Sequence, residues 1–243
     1  MKREMPLRSD EFDQLLGQSR LFQDLHTAEL DVLGQAAHRH QVECDAFFFH
    51  QGEPASTCYV LVEGEAKLTQ ITADGHQMLV RLVGPGGELG VIAALSNAVY
   101  TLSAQAAQDC AALAWDGQTM AQMMERCPRL ALNALRLVTD HFKQLLDRYQ
   151  EVVTESVERR VARLLLRLAA QETDAGLSID LTLSREDMAE MTGTTLYTVS
   201  RILSRWERQE YVQTGRKQLL IRNPHALVAI AEDLPPDIDV NQA

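Results

Sequence analysis

No apolar run in these 243 residues approaches the roughly 20 needed to span a bilayer, and the opening MKREMPLRSDEF lacks the apolar stretch of a secretory leader. The chain is therefore expected in the cytoplasm, without a membrane partner. Closely spaced cysteines are missing too. Cys44, Cys58, Cys110 and Cys127 form no CxxC pair of the kind that builds zinc or iron–sulfur sites, so they are expected as buried, reduced thiols and no metal site is expected. A cationic surplus is also lacking: the net charge is −11, which for the chain as a whole argues against a polyanionic partner. What is present is a 46% apolar composition, enough to bury a core.

The charge is unevenly distributed. Residues 1–156 hold 12 Lys/Arg against 21 Asp/Glu, whereas residues 195–222 hold 6 against 2. A short cationic stretch near the C-terminus is the electrostatic footprint of an element that enters a nucleic-acid groove. Upstream, helices are expected over about 11–16 and 27–37. Between Gln41 and Trp115 the texture becomes short β-rich runs (FFFHQGEP, CYVLVEGEAKLTQI, MLVRLVGPGGELG, TLSAQAAQDCAALAW) separated by Gly or Pro, the pattern of an antiparallel roll or barrel. Asp74-Gly75 reads as a tight primed hairpin turn, since both residue types tolerate positive φ. From Pro128 the period turns helical. Leu135, Val138, Phe142, Leu145, Tyr149 and Val152 follow at alternating spacings of three and four, which fits a coiled-coil seam or an intramolecular core face.

The sharpest pattern is LTLSREDMAEMTGTTLYTVSRILSRWERQEYV. Ser184 with Asp187 forms a capping box that opens a helix with Met188, Ala189 and Met191 inside; Arg185 lies in its first turn. Gly193 supplies a turn, and Thr194 or Thr195 caps a second helix. Val199, Ile202, Leu203 and Trp206 face inward there, while Tyr197, Ser200, Arg201, Ser204, Arg205 and Arg208 share the opposite face. A helix of this kind fits the major groove, where guanidinium pairs with guanine and phosphates supply most of the affinity. YVQTGRKQLLIR then reads as two strands around Gly215, with Arg216 and Lys217 at the tip of a wing placed to clamp phosphate. The expected DNA contacts are Ser184, Arg185, Thr195, Leu196, Tyr197, Ser200, Arg201, Arg205, Arg216 and Lys217.

These residues resemble the Crp/Fnr family of bacterial transcription regulators over nearly the whole chain. PGGELG at 85–90 is similar to the family's phosphate-cassette region, VEG at 62–64 to a roll turn, VERRVARLLLRLA to the helix after the hinge, and TVSRIL at 198–203 to the core of the recognition helix. The resemblance implies an α+β chain in three parts: a sensory β-roll of the cyclic-nucleotide-binding type (1–127), a dimerisation helix with its hinge (128–156), and a winged helix-turn-helix (157–243). It implies a homodimer about the heptad helix, a palindromic double-stranded DNA operator, RNA polymerase as partner, and no enzymatic activity.

Two departures from the family pattern carry consequences. Glu88, beside Leu89, matches the glutamate that binds the ribose of cyclic nucleotides, but Tyr100 and Thr101 stand where an Arg-Ser pair would hold the cyclic phosphate. A phenol cannot replace a bidentate guanidinium, so cyclic AMP is not the expected effector of this uncharged roll pocket. In the recognition helix, Tyr197 stands where the family places a glutamate that accepts from cytosine N4; Ser200 and Arg201 match. The operator is expected to differ from the usual TGTGA or TTGAT half-sites at that base pair. Haem is the named alternative effector, with His26, His38, His40, His50, His76, His141 and His225 as axial candidates lacking a diagnostic spacing; a small organic ligand or none is equally open. An iron–sulfur cluster is not expected, since nothing before Cys44 could hold one. Signalling is expected through rotation about the 153–157 hinge. The His-x-His of HRHQVE at 38–43 invites a metalloenzyme reading of the cupin type, but its carboxylate and glycine spacings are wrong.

Overall fold

The computed structural model describes residues 19–96, 98–171, 178–179, 183–215 and 219–234. The helix expected over 11–16, and the wing-tip residues Arg216 and Lys217, lie outside this set. The chain divides into two compact units, Met1–Gln144 and Leu145–Ala243. The division falls inside the longest helix.

In the first unit a 3-10 turn, Arg20–Phe22, precedes helix α1 (Thr27–Ala36) and eight strands: β1 (His38–Val42), β2 (Phe47–Phe49), β3 (Thr57–Glu63), β4 (Ala66–Ile71), β5 (Gln77–Val83), β6 (Glu88–Leu89), β7 (Ser103–Ala106) and β8 (Cys110–Asp116). They form two antiparallel sheets in the orders β1-β8-β3-β6 and β2-β7-β4-β5, the double-sheet closure of a jelly roll. Phe48, Phe49, Tyr59, Leu61, Leu68, Leu89 and Tyr100 fill one buried cluster. A second cluster joins Val60, Leu113 and Trp115 of the strands to Leu21, Phe22, Leu33, Met120, Leu130 and Leu137 of the helical elements. The Trp115 indole donates to the Leu33 carbonyl at 2.9 Å, so the only polar atom of that buried ring is satisfied.

Several details correct the sequence reading. The β4–β5 connection is not a tight two-residue turn: residues 72–76 form a loop closed by Gly75 N–H to Thr72 O at 2.9 Å, with Gly75 but not Asp74 at positive φ. Cys44 is exposed, unlike the three buried thiols. Two helices of the first unit escaped the sequence reading. They are α2 (Val91–Leu95), which is a bare turn long, and α3 (Gly117–Arg126), whose N-cap Asp116 accepts from Thr119 N–H at 2.8 Å.

Helix α4 (Pro128–Thr154) buries Leu130, Asn133, Ala134 and Leu137 on one side. Its seam residues Leu135, Phe142, Leu145, Tyr149 and Val152 are exposed, and Val138 is borderline. They do not form an intramolecular core face.

The second unit continues with α5 (Val157–Gln171), β9 (Ser178–Ile179), α6 (Arg185–Thr192), α7 (Leu196–Arg208), β10 (Val212–Thr214), β11 (Leu219–Ile221) and α8 (Pro224–Ala231). The three strands pair in the order β10-β11-β9. Val161, Leu164, Leu165, Met188, Val199, Leu203 and Trp206 are buried. Residues 155 and 156, between α4 and α5, are cross-braced. The Glu155 carboxylate takes the Arg163 Nε at 3.0 and 3.1 Å, and its carbonyl accepts from Arg160 Nη1 at 2.8 Å. Arg167 pairs with Glu151 one turn earlier.

Candidate functional site

The second unit presents two helices at a sharp turn. Ser184 Oγ accepts the Asp187 N–H at 3.0 Å while Asp187 returns a carboxylate oxygen to the Ser184 N–H at 2.7 Å, so two donors without helical partners are satisfied at the start of α6. Gly193 ends that helix at φ +62°, a left-handed conformation that an L side chain resists. Thr195, not Thr194, caps α7: its hydroxyl accepts from Thr198 N–H at 3.2 Å. Val199, Ile202, Leu203 and Trp206 are buried, and Met191 of α6 is only half-buried.

The outward face of α7 carries Leu196 (49% exposed) and Tyr197 (71%) in its first turn, with Ser200 partly covered and Arg201, Ser204 and Arg208 exposed. The Arg201 guanidinium carbon lies 5.8 Å from the Tyr197 ring centroid, a cation–π contact that orients the cation without neutralising it. Arg205 differs. Its Nη2 is drawn onto the Glu158 carboxylate of α5, which also accepts the Trp206 indole N–H at 2.9 Å. Nothing in the sequence pattern pointed to Glu158. Arg185 reaches Thr214 Oγ1 at 3.5 Å, and Glu207 accepts from the Thr214 N–H and hydroxyl at 3.0 Å each, so strand β10 is tied to both helices.

In the roll, the four residues expected to surround an effector have different surroundings. Leu89 is fully buried in the inter-sheet core and Thr101 is exposed. The Tyr100 ring stacks on Phe49 at 3.8 Å with 12° between planes; its hydroxyl donates to Thr57 O at 2.5 Å and accepts from Thr57 N–H at 3.1 Å. Gly90 makes room for that ring, because a Cβ there would stand 2.8 Å from Tyr100 Cε1. Glu88 is not in uncharged surroundings. Arg81 Nη1 meets Glu88 Oε1 at 3.0 Å, Arg81 Nη2 donates to the Glu88 carbonyl at 3.0 Å, and His141 Nε2 of α4 lies 3.1 Å from the same carboxylate oxygen and in contact with Arg81. Burial alone would raise the Glu88 pKa. The hydrogen bond from His141 and the charge of Arg81 outweigh it and hold the carboxyl below its usual range.

Comparison with known proteins joins the two units. The cyclic nucleotide-binding domain matches residues 39–127 and the Crp-like helix-turn-helix domain matches residues 159–230. The chain belongs to the Crp/Fnr family of DNA-binding transcription regulators. Among its relatives is the CRP-like cAMP-activated global transcriptional regulator of Mycobacterium tuberculosis, 21% identical over 88% of this chain and 97% of that protein. The fumarate and nitrate reduction regulatory protein of Yersinia pestis is 24% identical over 87% and 86%. FixK2 from Bradyrhizobium japonicum has the same fold, with a TM-score of 0.73 over 80% of this chain and 96% of that one at 24% identity. Among the described residues no group of His, Cys, Asp and Glu is arranged to hold a metal ion, and no helix is long and apolar enough to cross a membrane.

Proposed function

We propose that this Crp/Fnr regulator acts as a cytoplasmic homodimer on a two-fold symmetric operator, works with RNA polymerase, and does not take cyclic AMP as its effector. The observation that carries the last point is the Tyr100 side chain. It lies flat on Phe49 and is tied at its hydroxyl to Thr57, a neutral, already bonded phenol at the position that the resemblance matches to the family's phosphate-binding arginine. Glu88 is likewise engaged, by Arg81 and His141. The cAMP-activated relative from M. tuberculosis is similar in sequence over most of its length, which makes calorimetry with cyclic AMP the direct test. No heat of binding is expected at micromolar nucleotide; saturable micromolar binding would overturn the proposal.

The dimer is supported by the exposed seam of α4, and the operator reading by the first turn of α7. Arg201 is free to make a bidentate contact with guanine, while the Tyr197 ring and Leu196 offer apolar surface to a thymine methyl. Selection from random duplexes should return a palindrome altered from TGTGA or TTGAT at the base pair facing Tyr197. Arg201→Ala should weaken operator binding by about 1–3 kcal/mol and relax one position per half-site. Recovery of an unaltered half-site would refute the role given to Tyr197.

A further inference from the structure

Glu158 lies in the first turn of α5, outside the helix-turn-helix, yet one of its oxygens receives two consecutive residues of the reading helix. The Trp206 indole N–H reaches Oε1 from a fully buried ring, and Arg205 Nη2 reaches it from the wet side. Trp206 is an inward anchor of α7 and Arg205 a member of its cationic stripe, so a single carboxylate touches both faces of that helix. Its neighbours on the stripe are differently placed. Arg201 lies over an aromatic ring, and Arg208 donates through Nε to the Ser204 carbonyl of its own helix at 3.3 Å. Among the described residues Arg205 is the cation of this stripe that carries its own counter-charge.

We propose that Glu158 is a positioning residue for DNA reading: it fixes the rotation of α7 about its axis through Trp206 and withdraws Arg205 from the set of cations that neutralise phosphate. The inference rests on the DNA-binding reading and deepens it. A guanidinium already paired with a carboxylate releases no DNA counterion when the helix docks. The salt dependence of binding should therefore count Arg201 and the wing cations but not Arg205.

The test is fluorescence anisotropy of the full-length protein on a scrambled duplex across about 50–200 mM salt, where each phosphate contact contributes roughly 0.9 to the slope of log K against log salt, or about a three-fold loss of affinity over that range. Arg205→Met should leave the slope at the wild-type value. Glu158→Gln keeps an oxygen for Trp206 but no charge for Arg205, and should steepen the slope by about 0.9 per reading head. The double variant should return to the wild-type slope, which separates a freed Arg205 from the mere loss of a nearby negative charge. Glu158→Ala should also lower the ratio of operator to scrambled binding several-fold, and Glu158→Gln should restore it. A shallower slope for Arg205→Met, or an equally steep slope in Glu158→Gln with and without Arg205, would overturn the proposal. Failure of the wild-type protein to bind any duplex would instead remove the DNA-binding reading, and this one with it.

Discussion

Phe142→Ala should loosen the dimer without unfolding the protomer, and the size of the effect follows from how much of the ring the single chain leaves in water. Phe142 is 57% exposed on α4, and full burial of such a side chain stabilises by about 1.5–3 kcal/mol, so covering the exposed part contributes about 1–2 kcal/mol. A two-fold interface uses every residue twice, giving about 2–4 kcal/mol per dimer, or roughly a 30- to several-hundred-fold weaker association. Val138 is only 36% exposed and smaller, so Val138→Ala should cost less than about ten-fold by the same reasoning. Alanine favours the helix, so the protomer should keep its far-ultraviolet spectrum. Sedimentation equilibrium of both variants and the wild type measures the dissociation constants directly. If the wild type is monomeric at about 10 μM, well above a nanomolar-to-low-micromolar dimer constant, or if Phe142→Ala matches it, α4 is not the dimer seam.

Other expectations are smaller or confined to one region. Ser184→Ala removes one half of the capping box of α6 and should destabilise the second unit by about 1 kcal/mol in denaturant unfolding; an unchanged midpoint would show that the cap does not matter there. At Gly193 a Cβ would meet nothing within 4 Å, so Gly193→Ala should cost about 1–2 kcal/mol from backbone conformation alone, and a much larger loss would point to a clash the structure does not contain. Arg81 and His141 hold the Glu88 carboxyl below the usual carboxylate range in the folded state, so its contribution to stability is present above the ordinary carboxylate pKa and is lost as pH falls through the folded one. The stability gap between wild type and Glu88→Gln should therefore hold steady from about pH 7 down to about pH 5 and shrink below that; a gap that persists to about pH 3 would refute the ion-pair account.

The sequence made periodic features legible and left the pairwise ones hidden. The α4 seam and the inward residues of α7 repeat at three and four, so spacing alone separates their faces. Even there the exposed apolar surface is wider than the heptad line, because Leu146 and Val153 lie beside Leu145 and Val152. The capping box was readable because its partners are three residues apart. Arg205 looked like any other cation on a wet helical face; its partner Glu158 lies 47 positions away, a distance at which charge pattern says nothing. Tyr100 stands out in the sequence only through the family resemblance, and its stacking on Phe49 and its bonds to Thr57 depend on two strands closing on one another. The Asp74-Gly75 pair misled because a positive-φ residue type marks a turn without fixing how many residues the turn contains.

Arg160 has a consequence for how force passes along this chain. It is almost wholly enclosed, 8% exposed, and its guanidinium grips the Glu155 carbonyl at the end of α4 and, through Nε at 2.9 Å, the Thr192 carbonyl just ahead of the Gly193 bend. Together with the pairs Glu155–Arg163 and Glu151–Arg167, it turns residues 155 and 156 from a swivel into a braced elbow. Twisting the final turns of α4 would pull on the helix-turn-helix bend through this side chain, since slack at the elbow would cost a buried cation one of its two carbonyl acceptors.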